Sequence, residues 1–261
     1  MTDVKTTTSA TTTVPAPTTA PTTRAAFFDV DETLLNVKSM FHFLRYWMAR
    51  QGDDGSAHDA VMAEVRAQAD GGVPRTEINR RYYRRFAGVD HEELTRAGHE
   101  WYEEYRAGRT AVVVSAWAAA SRHKGAGDTV VLVSGSFRGL LEPMAEDLGA
   151  DVILCSEPIV GPDGRLTGEI ERPMIGPNKA AAVRFTMAGL GLGPDDCACY
   201  GDHSSDLDML MAVGNPVVVG ADPVLIGQAQ SLDWPVLPAT PGPLRSAGAL
   251  AAVELTRRAG R

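Results

Sequence analysis

Cysteine is scarce in this sequence, with only Cys155, Cys197 and Cys199 in a chain of 261 residues. Their number is odd, and Cys197 and Cys199 are too close in sequence to form a disulfide readily. A Cys-x-Cys metal site would need a second pair of ligands, which the sequence does not supply. All three cysteines lie in or beside apolar runs, so we expect buried, reduced thiols in a cytoplasmic protein.

Long hydrophobic runs and an excess of positive charge are also missing. No stretch reaches the about 18–20 apolar residues that a membrane-spanning helix needs. The first 23 residues contain eleven threonines and no apolar segment of the kind found in secretory signals. The formal net charge is −8 at pH 7, which gives no general attraction to nucleic acid or to an anionic membrane. A small anionic substrate would therefore need a local positive site.

The remaining sequence alternates between two kinds of segment. Short apolar runs that end in polar residues are typical of buried parallel strands, and segments with apolar residues at helical spacing separate them. This alternation predicts an α/β fold built on a doubly wound parallel sheet. The predicted strands are 25–30, 129–134, 151–156, 197–202 and 215–220, and the clearest helices between them are 136–149 and 176–191.

A helical insertion interrupts this alternation after the first predicted strand. No segment between Val37 and Arg109 has the pattern of a strand, whereas 39–52, 76–88 and 91–108 have helical spacing. In open α/β sheets ligands bind at the carboxyl edge, and we expect the inserted unit to lie over that edge. The predicted organisation is a disordered Thr/Pro-rich tail (1–23), a core (24–36 and 110–240) with a hairpin at 158–170, a helical cap (37–109) and a C-terminal helix or tail (241–261).

Polar side chains follow the carboxyl ends of several predicted strands. Asp29 and Asp31 follow the first strand, Ser134 ends the second, and Asp202 and Asp206 follow a later one. Because such ends converge in a doubly wound sheet, up to four carboxylates would crowd a small volume. Crowding of this kind raises pKa values or demands a cation. Mg²⁺ is the natural ion for a site with carboxylate oxygens, waters and a phosphate oxygen.

Phosphate could be held beside this ion. Lys179, at the start of a predicted helix, and the hydroxyl of Ser134 could bind phosphate oxygens, as could the backbone N–H groups of the turn that contains Gly135. Such a site suits phosphoryl transfer with a carboxylate nucleophile. One Asp would attack phosphorus to form an aspartyl-phosphate, and a second would protonate the leaving alkoxide and then activate water.

At this point the sequence resembles a known family. The segment DVDET (29–33) is similar to the Asp-x-Asp-x-Thr motif of the haloacid dehalogenase (HAD) superfamily. The strand ending at Ser134, then Lys179, then the run from Gly201 to Asp206 follow in that family's order. The segments LVSGSFRGLLEPMAEDLGAD and GRLTGEI resemble the phosphoserine-phosphatase-like branch, subfamily IB. The resemblance implies a HAD-like Rossmannoid core with a small helical C1 cap.

The resemblance also implies roles for the matching residues. Asp29 corresponds to the nucleophile and a metal ligand, and Asp31 corresponds to the general acid/base, whose backbone carbonyl also binds Mg²⁺. An acid at the position of Asp31 is typical of the phosphatases in the superfamily and is absent from its dehalogenases. The other implied residues are Thr33, which steadies the loop, Ser134 and Lys179, which bind phosphate, Asp202, which ligates the metal, and Asp206, which holds its waters.

Two positions depart from the family's pattern. Phosphoserine phosphatases usually carry a Glu nine positions after the nucleophile, where it meets the substrate ammonium, whereas this chain has Lys38. Lys38 would repel an amine; it could bind a second anionic or hydroxyl group of the substrate, or point into solvent. Ser205 stands where the family often has Asn, and its hydroxyl can still form hydrogen bonds. A sugar or cyclitol phosphate of specialised metabolism is therefore a candidate substrate, and phosphoserine is disfavoured.

More than one activity is compatible with these residues. The predicted function is a Mg²⁺-dependent phosphatase acting on a small, soluble phosphate ester, but the same core could serve a phosphotransferase or mutase. A non-catalytic phosphate-binding module is disfavoured because both Asp29 and Asp31 are present. The arginines between Arg80 and Arg85 could reach the substrate or form a solvated face, and His203 could line the pocket mouth or face solvent. The sequence does not fix the oligomeric state.

Overall fold

The computed structural model describes residues 24–244, so the predicted N-terminal tail and most of the predicted C-terminal helix lie outside the described residues. The strands, in chain order, are β1 (Ala25–Asp29), β2 (Val112–Val113), β3 (Thr129–Ser134), β4 (Val152–Cys155), β5 (Pro158–Val160), β6 (Leu166–Ile170), β7 (Cys197–Gly201), β8 (Asn215–Val219), β9 (Val236–Leu237) and β10 (Pro241–Gly242). The helices are α1 (Ser39–Arg50), α2 (Ser56–Asp70), α3 (Arg75–Arg84), α4 (His91–Arg106), α5 (Val114–Gly125), α6 (Arg138–Leu148), α7 (Pro177–Leu190), α8 (Leu207–Leu210) and α9 (Pro223–Leu232).

A six-stranded parallel sheet forms the centre of the molecule, with the strand order β4–β3–β1–β7–β8–β9. Alternate residues of β1 face opposite sides of this sheet. Ala26 and Phe28 pack into one core cluster, and Ala25 and Phe27 pack into another, because successive side chains of a strand point to opposite faces. Both faces are covered by helices, which explains why the strands are continuous apolar runs. The predicted doubly wound α/β fold is confirmed.

The five predicted strands all belong to this sheet, and the three cysteines are buried thiols, as expected. Sequence reasoning missed β9 and the short pair β2–β10, in which Pro241 and Gly242 pair antiparallel with Val113 and Val112. The first residues of the predicted C-terminal helix or tail are therefore a strand. In the part of the chain that the structure describes, no helix is both long and apolar enough to cross a membrane.

Four helices, α1 to α4, fill the insertion between β1 and β2. Three of them match predicted helical segments, whereas α2 was not recognised. His58 is the only buried residue of α2, so this helix lacks the apolar stripe that makes a helix visible in a sequence.

The predicted hairpin is formed by β5 and β6, which pair antiparallel in a separate small sheet. It lies against the end of α3 instead of joining the central sheet. The backbone N–H of Gly88 donates to Leu166, and that of Leu166 donates to Val89. A hairpin within the predicted core (110–240) therefore contacts the inserted helices.

The inserted helices are tightly attached to the core where α4 crosses α6. A Cβ built on Gly98 of α4 would lie 2.6 Å from the carbonyl oxygen of Gly139, and one built on Gly139 would lie 2.9 Å from the Cα of Thr95. Neither helix could approach the other so closely with a larger residue at these positions. Since both nearest atoms belong to the backbone, they cannot be moved by a change of rotamer.

Gly98→Ala is therefore expected to lower the free energy of unfolding by about 1–3 kcal/mol, the usual cost of overpacking. The matched control is Gly227→Ala in α9, where an added Cβ meets no atom within 4 Å. There the reduced backbone freedom of Ala should stabilise the protein by roughly 0.5–1 kcal/mol. Equilibrium urea unfolding of both variants checks this prediction, and equal stabilisation by both would contradict the close helix contact.

Candidate active site

The carboxyl ends of β1, β3 and β7 meet at one edge of the sheet. Asp29 is the last residue of β1 and is aligned with Val133, the residue before Ser134 in β3. On the other side Phe28 is aligned with Tyr200 of β7, so Asp202 follows at the same edge. From β1 the chain builds β3 and β4 on one side of this strand and then β7 on the other. Such a change of direction opens a crevice for ligands at the carboxyl ends of the strands.

Three carboxylates form a compact cluster at this edge. One oxygen each from Asp29, Asp202 and Asp206 lies within 4.8 Å of the others, and the hydroxyl of Thr33 donates to Asp202 at 3.1 Å. Burial raises the pKa of Asp202 to about 6, and the nearby charge of Asp206 adds to this rise. Burial likewise raises the pKa of Asp29 well above its ordinary value.

Lys179 is the cation at the centre of this cluster. Its side chain is 5% exposed, and its Nζ donates to Asp29 and, at 2.8 Å, to Asp206. Burial alone would lower the pKa of Lys179, but the two carboxylates together outweigh this effect and raise it. One buried ammonium group cannot balance the negative charge of three carboxylates. The remaining carboxylates repel one another within a few ångströms, which disfavours their ionisation.

The cluster fits a divalent ion. Its ligands are carboxylate oxygens, the type that Mg²⁺ prefers, and three acidic groups with one lysine leave negative charge to be neutralised. Asp29 and Asp202 would hold the ion directly, with Asp206 beside them. The backbone carbonyl of Asp31, two residues beyond Asp29, is a further candidate ligand.

Asp31 is held by the first helix of the insertion. Its Oδ1 accepts hydrogen bonds from the backbone N–H of Ser39, at 3.0 Å, and from the Ser39 hydroxyl. The Ser39 hydroxyl also contacts that of Ser136, whose backbone N–H donates to Ser134 Oγ at 3.1 Å. Burial raises the pKa of Asp31, and both hydrogen bonds from Ser39 oppose the rise. A continuous chain of hydrogen bonds therefore joins Asp31 to the loop at the end of β3.

Helix α3 holds the same loop through two hydrogen bonds. The carbonyl of Gly135 accepts hydrogen bonds from Asn79 Nδ2, at 3.0 Å, and from the Tyr83 hydroxyl, at 2.9 Å. A Cβ on Gly135 would lie 2.6 Å from the Cδ1 atom of Ile175, so the Ile175 side chain would have to move to admit a larger residue. The turn after Ser134 is thus held in a single arrangement between the core and the inserted helices.

These groups line a cavity of about 260 Å³ between the sheet edge and the inserted helices. Its floor contains the carboxylate cluster and Lys179, and its upper wall comes from α1, α2 and α3. Nearly all the residues predicted for the site line it; Thr33, which contacts Asp202, is the exception. The lining residues are Asp29, Asp31, Glu32, Lys38, Met40, Phe41, Val65, Ala69, Arg75, Ile78, Asn79, Ser134, Gly135, Ile175, Lys179, Asp202, His203, Ser205 and Asp206.

The arginines between Arg80 and Arg85 do not line this cavity. Arg81 pairs with Glu77, Arg84 with Glu77 and Glu169, and Arg85 with Glu64. The fourth, Arg80, donates to a backbone carbonyl of β6. These arginines form a solvated, ion-paired surface, the second of the two arrangements that their sequence pattern allows.

Several residues in or beside the cavity were not recognised in the sequence. Ser39 and Asn79 lie on inserted helices and act on the loops through hydrogen bonds, and Arg75 begins α3. Glu32 has a φ of 64°, a conformation that is uncommon for residues other than glycine and that often marks functional loops. The only sequence signal for Ser39 was its position directly after Lys38, at the start of a predicted helix.

Comparisons with known proteins agree with this geometry. The family model described as haloacid dehalogenase-like hydrolase matches residues 26–211. A protein of Mycobacterium tuberculosis strain H37Rv named "Probable phosphatase" is 31% identical over 241 residues, which cover 84% of this chain and 77% of that protein. The "Inhibition of morphological differentiation protein" of Streptomyces azureus is 41% identical over 115 residues. That match covers 44% of this chain and 42%, less than half, of the relative.

Solved structures share the fold. A protein of unknown function from Bordetella pertussis has a TM-score of 0.72 at 27% identity and covers 84% of this chain and 99% of that one. A phosphoserine phosphatase carrying an analogue of its phospho-aspartyl intermediate has a TM-score of 0.61 at 20% identity, over 85% of this chain and 95% of that one. At that identity the second match shows the fold alone. The extent of the family model and the mycobacterial relative establish that this chain belongs to the haloacid dehalogenase-like hydrolase family.

Proposed function

We propose that this protein is a Mg²⁺-dependent phosphatase that hydrolyses a small phosphate monoester through an aspartyl-phosphate intermediate. The observation that carries the proposal is the buried convergence of Asp29, Asp202 and Asp206 with Lys179 at one sheet edge. A related protein that is named a phosphatase supports the same reaction class.

Each residue has a chemical task in this proposal. A carboxylate oxygen of Asp29 attacks phosphorus, and Lys179 together with the turn at Ser134 and Gly135 holds the phosphate oxygens. Asp31, which Ser39 orients, protonates the leaving alkoxide and then removes a proton from the attacking water. Bound Mg²⁺ supplies charge neutralisation on the phosphoryl oxygens. The raised pKa of Asp31 favours the protonated form that the first step needs.

The cavity limits the substrate to a small molecule. A volume of about 260 Å³ admits a phosphate group and a few further atoms, which excludes a folded protein or duplex nucleic acid. Sugar and cyclitol phosphates are candidates, since the polar side chains of Glu32, Lys38 and Arg75 also line the cavity. Phosphoserine is a weaker candidate, because Lys38 lies in the cavity wall and would repel the substrate ammonium.

A phosphate-release screen tests the proposal. Purified protein would be incubated with sugar, cyclitol, amino-acid and nucleotide monophosphates, with Mg²⁺ or with EDTA, and with and without added glycerol. We expect free phosphate from a subset of small monoesters, in the presence of Mg²⁺ only. Transfer of the phosphoryl group to glycerol as the main product would indicate a phosphotransferase, and no release from any substrate would overturn the proposal.

A further inference from the structure

Two cationic residues of the cavity have no task in the proposed reaction. Lys38, immediately before α1, and Arg75, the first residue of α3, both line the cavity that contains Asp29 and Lys179. They come from two different helices of the insertion, so their meeting in one small space follows from the packing of these helices and not from a local charge run. In the proposed reaction Lys179 is already the cation that binds the phosphate group.

Arg75 differs from the other arginines of its helix, which bind glutamates or a backbone carbonyl. Arg81 and Arg84 of α3, and Arg85 just after it, each form an ion pair with a glutamate, and Arg80 donates to the carbonyl of Ile170. Arg75 forms no ion pair with any carboxylate in residues 24–244; its Nη1 instead contacts the ring of His203, 2.9 Å from Nε2. Most of its five N–H donors, whose fork matches a carboxylate or a phosphate, are therefore available to a ligand.

Lys38 has one carboxylate neighbour, Glu32, at 3.3 Å. Both side chains are 48% exposed, and exposed pairs of this kind contribute only about 0–1 kcal/mol. A ligand anion can displace or join such a weak pair at little cost. Lys38, Arg75 and Glu32 together carry one net positive charge.

The cavity wall also contains apolar side chains. Phe41, Val65, Ile78 and Ile175 line the cavity together with the charged groups, a surface that suits a short carbon skeleton. A small molecule whose phosphate is bound by Lys179 lies in the same cavity of about 260 Å³ as Lys38 and Arg75.

We propose that the substrate is a small phosphomonoester that carries a second acidic group, a carboxylate or another phosphate, bound by Lys38 and Arg75. This inference rests on the proposed phosphatase function and narrows its substrate class. Among sugar and cyclitol phosphates it selects the acidic ones, such as sugar acids and bisphosphates. A substrate ammonium group placed next to the second acid weakens binding, because it meets the same two cations.

Matched substrate pairs test this inference with the full chain and Mg²⁺. 3-Phosphoglycerate and glycerol 3-phosphate differ in a carboxylate, and 1,3-propanediol bisphosphate and the corresponding monophosphate differ in a second phosphate. We expect kcat/KM to be at least tenfold higher for the acidic member of one pair or both, mainly through a lower KM, and the two pairs tell a carboxylate site from a phosphate site. Phosphoserine should be a poorer substrate than 3-phosphoglycerate, since it exchanges a hydroxyl for an ammonium.

Three variants test whether Lys38 and Arg75 cause the preference for the acidic substrate. Lys38→Met and Arg75→Met should each reduce the ratio of kcat/KM between the acidic and neutral members by about tenfold. Arg81→Met, which changes an ion-paired arginine on the outer surface of the same helix, should leave both values as in the wild type. Equal kcat/KM within each pair would overturn the inference and leave the phosphatase function intact. An unchanged preference in both cavity variants would overturn the assignment to these residues, and no phosphate release from any substrate would overturn the proposed function and the inference with it.

Discussion

Asp29→Asn is expected to lower kcat/KM for phosphate release by about 10⁴-fold or more, because an amide cannot act as the nucleophile that forms the acyl phosphate. The substitution keeps the size and one oxygen of the side chain, so the cavity should keep its shape. Steady-state phosphate release with Mg²⁺ measures the effect. Mass spectrometry of acid-quenched protein should detect an added phosphoryl group in the wild type and none in the variant.

The control for this prediction must separate folding from chemistry. Lys179 is buried and donates to both Asp29 and Asp206; losing one partner of a buried pair can cost several kcal/mol. In Asp29→Asn the charge of Asp206 remains to pair with Lys179, and the substitution removes a carboxylate whose pKa is raised by burial and by the neighbouring acids, so we expect little loss of thermal stability. Asp208→Asn, the same change at an exposed residue of α8, should retain full activity. Residual turnover near the wild-type level in a folded Asp29→Asn protein would refute the nucleophile assignment.

Asp31→Asn should reduce steady-state turnover by about 10²–10⁴-fold, the usual contribution of a general acid and base. The two hydrogen bonds that Ser39 donates to Asp31 Oδ1 can be kept by the amide oxygen, so the side chain should stay in place. The defect is then chemical: the variant can neither protonate a poor leaving group nor activate water.

The choice of substrate distinguishes these two steps. 4-Nitrophenyl phosphate has a leaving group that needs little protonation, so Asp31→Asn should still transfer its phosphoryl group to Asp29. We expect a rapid burst of nitrophenol close to one equivalent per enzyme, followed by slow turnover, whereas Asp29→Asn should show no burst. A slow linear release without a burst would mean that Asp31 acts mainly before the intermediate, and wild-type turnover would rule out its role as acid and base.

The sheet could be predicted from the sequence because its signals are local. Each central strand is a short apolar run that ends at a polar residue, and a strand buried on both faces needs this pattern wherever it lies in the chain. The predicted ends differ from the observed ends by one residue or less in most cases, as for β1, where the prediction ends at Val30 and the strand at Asp29. Several of the elements that were missed have weak patterns: α2 buries little, and β2, β9 and β10 have two residues each.

The arginines of α3 show where local patterns stop being informative. Their sequence places several charges on one helix without indicating which of them faces the substrate cavity. In the structure these choices depend on residues that are distant in sequence. Glu64 binds Arg85 and Glu169 binds Arg84 on the outer surface, while Arg75 lies beside His203 at the cavity. Such choices depend on how the inserted helices pack, which involves contacts between residues far apart in the chain.

The sequence by itself determined the sheet, its polar edge and the family, because motif order and apolar periodicity are properties of neighbouring residues. Only the tertiary structure decided that Ser39 holds Asp31, that Asn79 and Tyr83 fix the turn at Gly135, and that Lys38 and Arg75 line the cavity. The physical reason is that a side chain's direction is set by the packing of its whole helix against the core, and close contacts such as Gly98 against Gly139 set that packing.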